Sequence, residues 1–131
     1  MTIPPLPENE TARLAALEQY RMGGFGREPA FDRIAAQAAR LFDTPIGLVS
    51  LINRDDQCFK GALGLSAPGC PRDFAFCAFT ILSDQPMIVP DARLDPRFAE
   101  NPLVAGPPHV RFYAGAPLRV RDGFILGALC I

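Results

Sequence analysis

Between Pro45 and Asn53 the chain runs through Ile46, Gly47, Leu48, Val49, Ser50, Leu51 and Ile52 with one polar side chain among them. A strand with one wet face alternates polar and apolar residues. This run does not alternate, so it predicts a strand covered on both faces and central in its sheet. Everything else in the chain has to supply that strand with neighbours and with two covering layers.

Residues 57–63 follow a polar turn, Asn53-Arg54-Asp55-Asp56, and read as the returning strand of a hairpin. Residues 110–120 and 124–131 flank Arg121-Asp122-Gly123 and form a second hairpin, and residues 87–90 form a further short strand. Helices interrupt this sheet. Residues 8–20 are rich in Ala, Leu, Glu and Arg and predict a first helix. Gly23, Gly24 and Gly26 leave residues 21–29 too free to continue it, which predicts a loop. From Pro29 onward Phe31, Ile34, Ala35, Ala38, Leu41 and Phe42 recur at helical steps, and Pro45 stops the second helix. Residues 64–71 read as a connection. Asp73 is placed to cap a helix over 74–82 with the inward stripe Phe74, Cys77, Ala78 and Ile81, and Asp95-Pro96 predicts another short helix. The fold class is α+β, with a central, mainly antiparallel five-stranded sheet and helices on both faces.

A length of 131 residues suits one domain, and 49% hydrophobic against 21% charged residues excludes a disordered chain. The net charge of −1, with no basic run, argues against nucleic acid as a partner. The longest apolar stretches are far below the ~20 residues of a membrane helix, and residues 1–7 are extended and unlike a secretion signal. A cytoplasmic location, with no membrane partner, is therefore expected. Cys58, Cys70, Cys77 and Cys130 read as free thiols. With no C-x-x-C and a single histidine, His109, the spacing suggests no metal centre.

Five segments can now be read together: residues 31–35 (FDRIA), 45–52 (PIGLVSLI), 71–78 (PRDFAFCA), 89–98 (VPDARLDPRF) and 111–118 (RFYAGAPL). In this order, with GALCI closing the last strand, they resemble a GAF domain covering residues 8–131. The likeness is to the subgroup found at the N-terminus of bacterial sensor histidine kinases and diguanylate cyclases. It departs from that subgroup in having Gly-Gly-Phe-Gly-Arg-Glu before the second helix, and Phe79 where a histidine usually follows the helix cysteine.

The resemblance implies a PAS-like architecture. Helices from the two chain ends cover one sheet face, and the interrupting helices cover the other, which can hold a small ligand. It also implies a terminal helix and an output domain beyond residue 131, and a homodimer paired through terminal helices. On the first helix Ala12, Leu14, Ala15 and Leu17 would supply that contact. The domain itself is expected to be a non-catalytic sensor in signal transduction, with cofactor and ligand unspecified. Its ligand-facing residues would be Phe59, Phe74, Cys77, Phe98, Arg111 and Tyr113.

Two alternatives follow from the same likeness. A methionine-(R)-sulfoxide reductase would use paired thiols, for which Cys70 and Cys77 are the candidates. A bilin-binding domain would attach its pigment through a cysteine, but none lies between residues 92 and 111, so Cys77 would have to serve. The cyclic-nucleotide signature Asn-Lys-Phe-Asp-Glu is missing. Arg111 and Tyr113 together would suit an anionic or aromatic ligand; the structural alternative is that Arg111 pairs with Asp91 or Asp95.

Overall fold

The structure is a computed structural model and describes residues 2–20 and 26–131. Most of the loop expected over 21–29, including Gly23 and Gly24, lies outside the described residues. Helix α1 (Glu10–Gln19) and helix α2 (Pro29–Leu41) precede strands β1 (Gly47–Ile52), β2 (Asp56–Leu63) and β3 (Gly69–Pro71). A 3-10 turn over Arg72–Phe74 and the short helix α3 (Cys77–Thr80) lead to β4 (Met87–Val89). A second 3-10 turn (Ala92–Leu94) and helix α4 (Pro102–Ala105) precede β5 (Tyr113–Arg119) and β6 (Ile125–Cys130).

The strands form one six-stranded sheet in the order β3-β2-β1-β6-β5-β4, and every neighbouring pair is antiparallel. All residues of β1 are buried, as its unbroken apolar run requires. The sixth strand corrects the expectation of five. Gly69, Cys70 and Pro71 fall in the stretch read as a connection, and they become a strand by pairing with Asp56, Gln57 and Cys58 at the sheet edge. Proline is tolerated there because an edge strand leaves one side of its backbone unpaired.

Adjacent residues on a strand point to opposite faces, and β1 distributes them accordingly. Leu51 joins Cys58 and Leu126 against Ala16 and Leu17 of α1. Leu48 and Ile52 join Phe59, Ala62, Ala128 and Cys130 in the larger cluster under α3, which includes Ala92, Phe98 and Val104.

Helix α2 lies on the first of these faces, but not with the expected stripe inward. Ala35 and Ala39 are fully buried, while Ile34 is 43%, Leu41 79% and Phe42 63% exposed. The cause is the surface beneath. A Cβ on Gly47 would stand 2.2 Å from the Ala35 carbonyl oxygen, and one on Gly61 would stand 2.3 Å from that of Phe31. Backbone meets backbone, so only small side chains fit between helix and sheet.

The helix expected over 74–82 is broken. Asn101, itself buried, donates from Nδ2 to the Phe74 carbonyl at 3.0 Å, and Ala75 is extended. That carbonyl is then unavailable to a continuous helix, and Phe76 turns into the core. Asp73 makes no capping bond. Nor does a helix begin at Pro96: residues 96–100 form turns, with Asp95 Oδ1 accepting from the Arg97 amide at 2.9 Å. The caps in this region are Asp91, for the Ala92–Leu94 turn, and Asn101, for α4. Asn101 Oδ1 accepts from the Leu103 amide at 2.8 Å while Nδ2 holds Phe74, so Asn101→Ala removes both ties. It should cost about 1–2 kcal/mol in urea unfolding, the range of a lost cap, whereas Asn101→Asp should recover most of the cap bond.

Candidate functional site

The candidate site is the sheet face beneath α3 and α4. The sheet register brings Ser50 of β1 opposite Ala128 of β6, and Cys130 of β6 opposite Leu48 and Gly115. Tyr113 of β5 lies on this face, and its side chain crosses Gly115. A Cβ on Gly115 would stand 2.1 Å from the Tyr113 hydroxyl, so only glycine at that position lets the ring reach inward. Helix α3 supplies Cys77 and, three residues on, Thr80.

These groups form one buried polar chain. Thr80 Oγ1 is 2.7 Å from the Tyr113 hydroxyl, which is 3.1 Å from Cys77 Sγ. Cys77 Sγ is 3.2 Å from Ser50 Oγ and 3.6 Å from Cys130 Sγ, and Ser50 Oγ donates to the Ala128 carbonyl at 3.3 Å. One arrangement satisfies every group while neutral: Thr80 donates to Tyr113, Tyr113 and Cys130 donate to Cys77, Cys77 to Ser50, and Ser50 to the backbone.

The two sulfurs are not equivalent. Donation from Cys130 lowers the Cys77 pKa more than burial raises it, with Ser50 and Tyr113 adding to the lowering. Donation to Cys77, together with burial, holds the Cys130 thiol well above the ordinary range, and burial does the same for the Tyr113 phenol. Once Cys77 ionises, Cys130 can only donate to it.

Aromatic rings cover the rest of this face. Phe76 and Phe98 stack at 4.0 Å and 5°, Phe76 tilts against Tyr113 at 5.2 Å, and Phe79 meets Phe98 edge-on. The Arg97 guanidinium lies 5.0 Å from the Phe98 ring centroid and 5.6 Å from that of Phe79. Asp95 pairs with this arginine.

Of the residues expected to face a ligand, Phe59, Cys77, Phe98 and Tyr113 are buried together in this cluster. Phe74 is half-buried and is not packed against this cluster, and Arg111 is exposed. Arg111 donates to the carbonyls of Val104 and Val110, while Asp91 pairs with Arg93 and Asp95 with Arg97. The expected pairing of Arg111 with either aspartate is therefore not made. Cys70 lies half-buried on the edge strand, against the Gln57 amide nitrogen at 3.3 Å, and burial pushes its thiol up to about 11. The thiol beside Cys77 is that of Cys130.

Sequence patterns miss Ser50, Phe76, Thr80 and Cys130. The one local signal is Ser50, a lone polar residue in an apolar strand.

A second polar cluster connects this face to α1. Arg72, in the turn before α3, and Arg13 of α1 are both buried and both bind the Glu10 carboxylate. Arg13 also donates to the Ile52 carbonyl at 2.8 Å, and Arg72 to that of Asn53 at 2.9 Å. Beside it is a surface cleft of about 250 Å³ lined by Pro4, Leu6, Arg54, Asp55, Pro71, Arg72 and Asp73, which contains none of the expected ligand-facing residues. Among the described residues no group of acidic, cysteine and histidine side chains is arranged to hold a metal ion, and no helix is long and apolar enough to cross a membrane.

The sequence profile of the GAF domain matches residues 26–131. The whole chain is 44% identical to a cyclic di-GMP phosphodiesterase of Pseudomonas aeruginosa, of which it spans 22%. The GAF domain of a Coxiella burnetii phosphoenolpyruvate-protein phosphotransferase superposes with a TM-score of 0.64 at 16% identity, covering 94% of this chain and 76% of that one. A free methionine-R-sulfoxide reductase of Neisseria meningitidis superposes with a TM-score of 0.61 at 17% identity, covering 99% and 79%. At these identities the two superpositions establish the fold.

Proposed function

Because this chain belongs to the GAF domain family, we propose that it acts as a regulatory input domain of a larger signalling protein whose output turns over cyclic di-GMP. The observation that carries this reading is the match, over the whole chain, to a segment making up 22% of a cyclic di-GMP phosphodiesterase. A segment of that size, folded around its own core, acts on a separate output domain by biasing its conformation.

In this reading the domain is not itself a catalyst. Its effector is a small molecule taken on the α3 face, among Phe59, Phe98, Tyr113 and Cys77, with Phe74 and Arg111 at the margin. Apolar rings with few, fixed polar groups suit a flat or aromatic effector, and such a ligand enters by parting the Phe76–Phe98 stack. The movement passes through the 72–76 segment to Arg72, and from Arg72 through Glu10 to α1. Helix α1 carries it onward, pairing with a second copy through the exposed Ala12 and Ala15; Leu14 and Leu17, expected in the same contact, instead pack into this chain's own core.

Native mass spectrometry of the chain purified from cells tests this reading. The expected result is a dimer carrying a small molecule that leaves on unfolding and is reduced in Arg111→Gln. Bare chain in every preparation, with no thermal shift across a panel of aromatic and anionic metabolites, would end the effector reading. A strictly monomeric chain would end the pairing through α1.

A further inference from the structure

We propose that Cys77 and Cys130 form an oxidisable dithiol, closed to a disulfide by hydroperoxide. The proposal goes beyond effector binding and does not depend on it. Its basis is geometric: the sulfurs stand 3.6 Å apart, one on α3 and one on β6, with Ser50 and Tyr113 also within hydrogen-bond reach of Cys77. A disulfide needs an approach of about 1.5 Å from this separation, within the reach of side-chain rotation. Cys58 and Cys70 have no such arrangement. Cys70 contacts the Gln57 amide, and Cys58 packs against α1, where burial raises its thiol.

Only a thiolate attacks peroxide at a useful rate, and three donors converge on Cys77 to stabilise one. Thr80 supports this by donating to Tyr113, which leaves the phenol proton free to point at Cys77. On ionisation Ser50 turns its proton from the Ala128 carbonyl to the sulfur. The Cys77 thiolate attacks one peroxide oxygen and the O–O bond breaks. Cys77 becomes a sulfenic acid, and the departing hydroxide takes up the proton that Cys77 had released. The Cys130 sulfur then attacks the sulfenic sulfur, the S–O bond breaks, and the hydroxide leaves as water with the Cys130 proton. Two thiols lose two electrons and one peroxide becomes two waters. Hydrogen peroxide is close to water in size, and it reaches the buried Cys77 through local opening of the four-residue helix α3.

The test is hydrogen peroxide treatment of the folded chain at neutral pH, followed by denaturation, thiol titration and non-reducing peptide mapping. The four free thiols should fall to two, and one reducible cross-link should join the Cys77 and Cys130 peptides. Cys130→Ser should give instead a Cys77 sulfenic acid captured by dimedone, and Cys70→Ser should leave the cross-link intact. Tyr113→Phe removes one donor to the thiolate. About a tenfold smaller thiolate fraction, partly offset by higher intrinsic nucleophilicity, should slow oxidation about threefold. The proposal is overturned by a Cys70–Cys77 cross-link, or by four intact thiols at a peroxide dose that oxidises the unfolded chain. An undiminished rate in folded Tyr113→Phe likewise rules out Cys77 as the activated sulfur.

Discussion

Glu10→Ala should lower the free energy of unfolding by about 3 kcal/mol and the melting temperature by roughly 10 °C. Among the described residues Glu10 is the only carboxylate bonded to both Arg13 and Arg72, whose side chains are 1% and 6% exposed. Removing one member of a buried ion cluster costs about 3–5 kcal/mol, because the remaining charge stays desolvated without its counter-ion. The lower end applies here. Each guanidinium keeps a backbone acceptor, Ile52 for Arg13 and Asn53 for Arg72. Glu10→Gln should fall between wild type and alanine, since the amide oxygen still accepts one bond. A loss below about 1 kcal/mol for Glu10→Ala in urea unfolding would show that backbone acceptors alone satisfy both arginines.

The same cluster makes stability depend on acid. Burial raises the Glu10 carboxyl, but bonds and attraction from Arg13 and Arg72 outweigh it, and the folded pKa lies below the ordinary value. The unfolded chain therefore takes up this proton first. The stabilisation is fully present above about pH 4.3 and is lost as pH falls through the lower folded value. Wild type minus Glu10→Gln should shrink across that acidic window and stay constant from pH 5 to 7.

How far the sequence reports this molecule depends on the range of the interaction involved. Strand β1 is legible because its burial on both faces is written in consecutive residues. Strand β3 is not, because Gly69, Cys70 and Pro71 carry no strand pattern and are recruited only by the free edge of β2. The 74–82 helix is misread for a similar reason. Its break depends on Asn101, whose amide captures the Phe74 carbonyl from 27 residues away. Helical spacing puts Cys77 on an inward stripe, and the family resemblance puts Tyr113 on the inner face. Their contacts with Cys130 and Ser50 cannot be placed from either, since those require the register between β1, β5 and β6. Glu10, Arg13 and Arg72 look like ordinary solvated charges until the fold buries two of them.

Helix α2 shows the same limit, and it yields the second large expected effect: Gly61→Ala should destabilise the fold by about 3 kcal/mol, and Gly47→Ala by a similar amount. Periodicity identifies α2 as a helix, but which stripe faces inward is decided by the strands below it. Large side chains in a stripe are expected to seek the core, yet Ile34, Leu41 and Phe42 stay partly or mostly exposed while Ala35 and Ala39 are buried. The glycines explain the inversion. The new Cβ at residue 61 would meet the Phe31 carbonyl at 2.3 Å and the Asp32 amide nitrogen at 2.7 Å. Those are backbone atoms of the first turn of α2, so no side-chain rotation relieves the clash and the helix itself must lift. Lifting it opens space around Ala35 and Ala39, and the lost contacts add to the strain of the clash. Asp32 would also lose its hold, because its Oδ1 accepts from the Ala62 amide at 2.9 Å across this contact. Gly26→Ala is the control, since a Cβ there meets nothing within 4 Å, and its effect should stay within about 0.5 kcal/mol. If Gly61→Ala proved as mild as Gly26→Ala in urea unfolding, α2 would not rest on backbone. Its exposed apolar stripe would then need a different explanation.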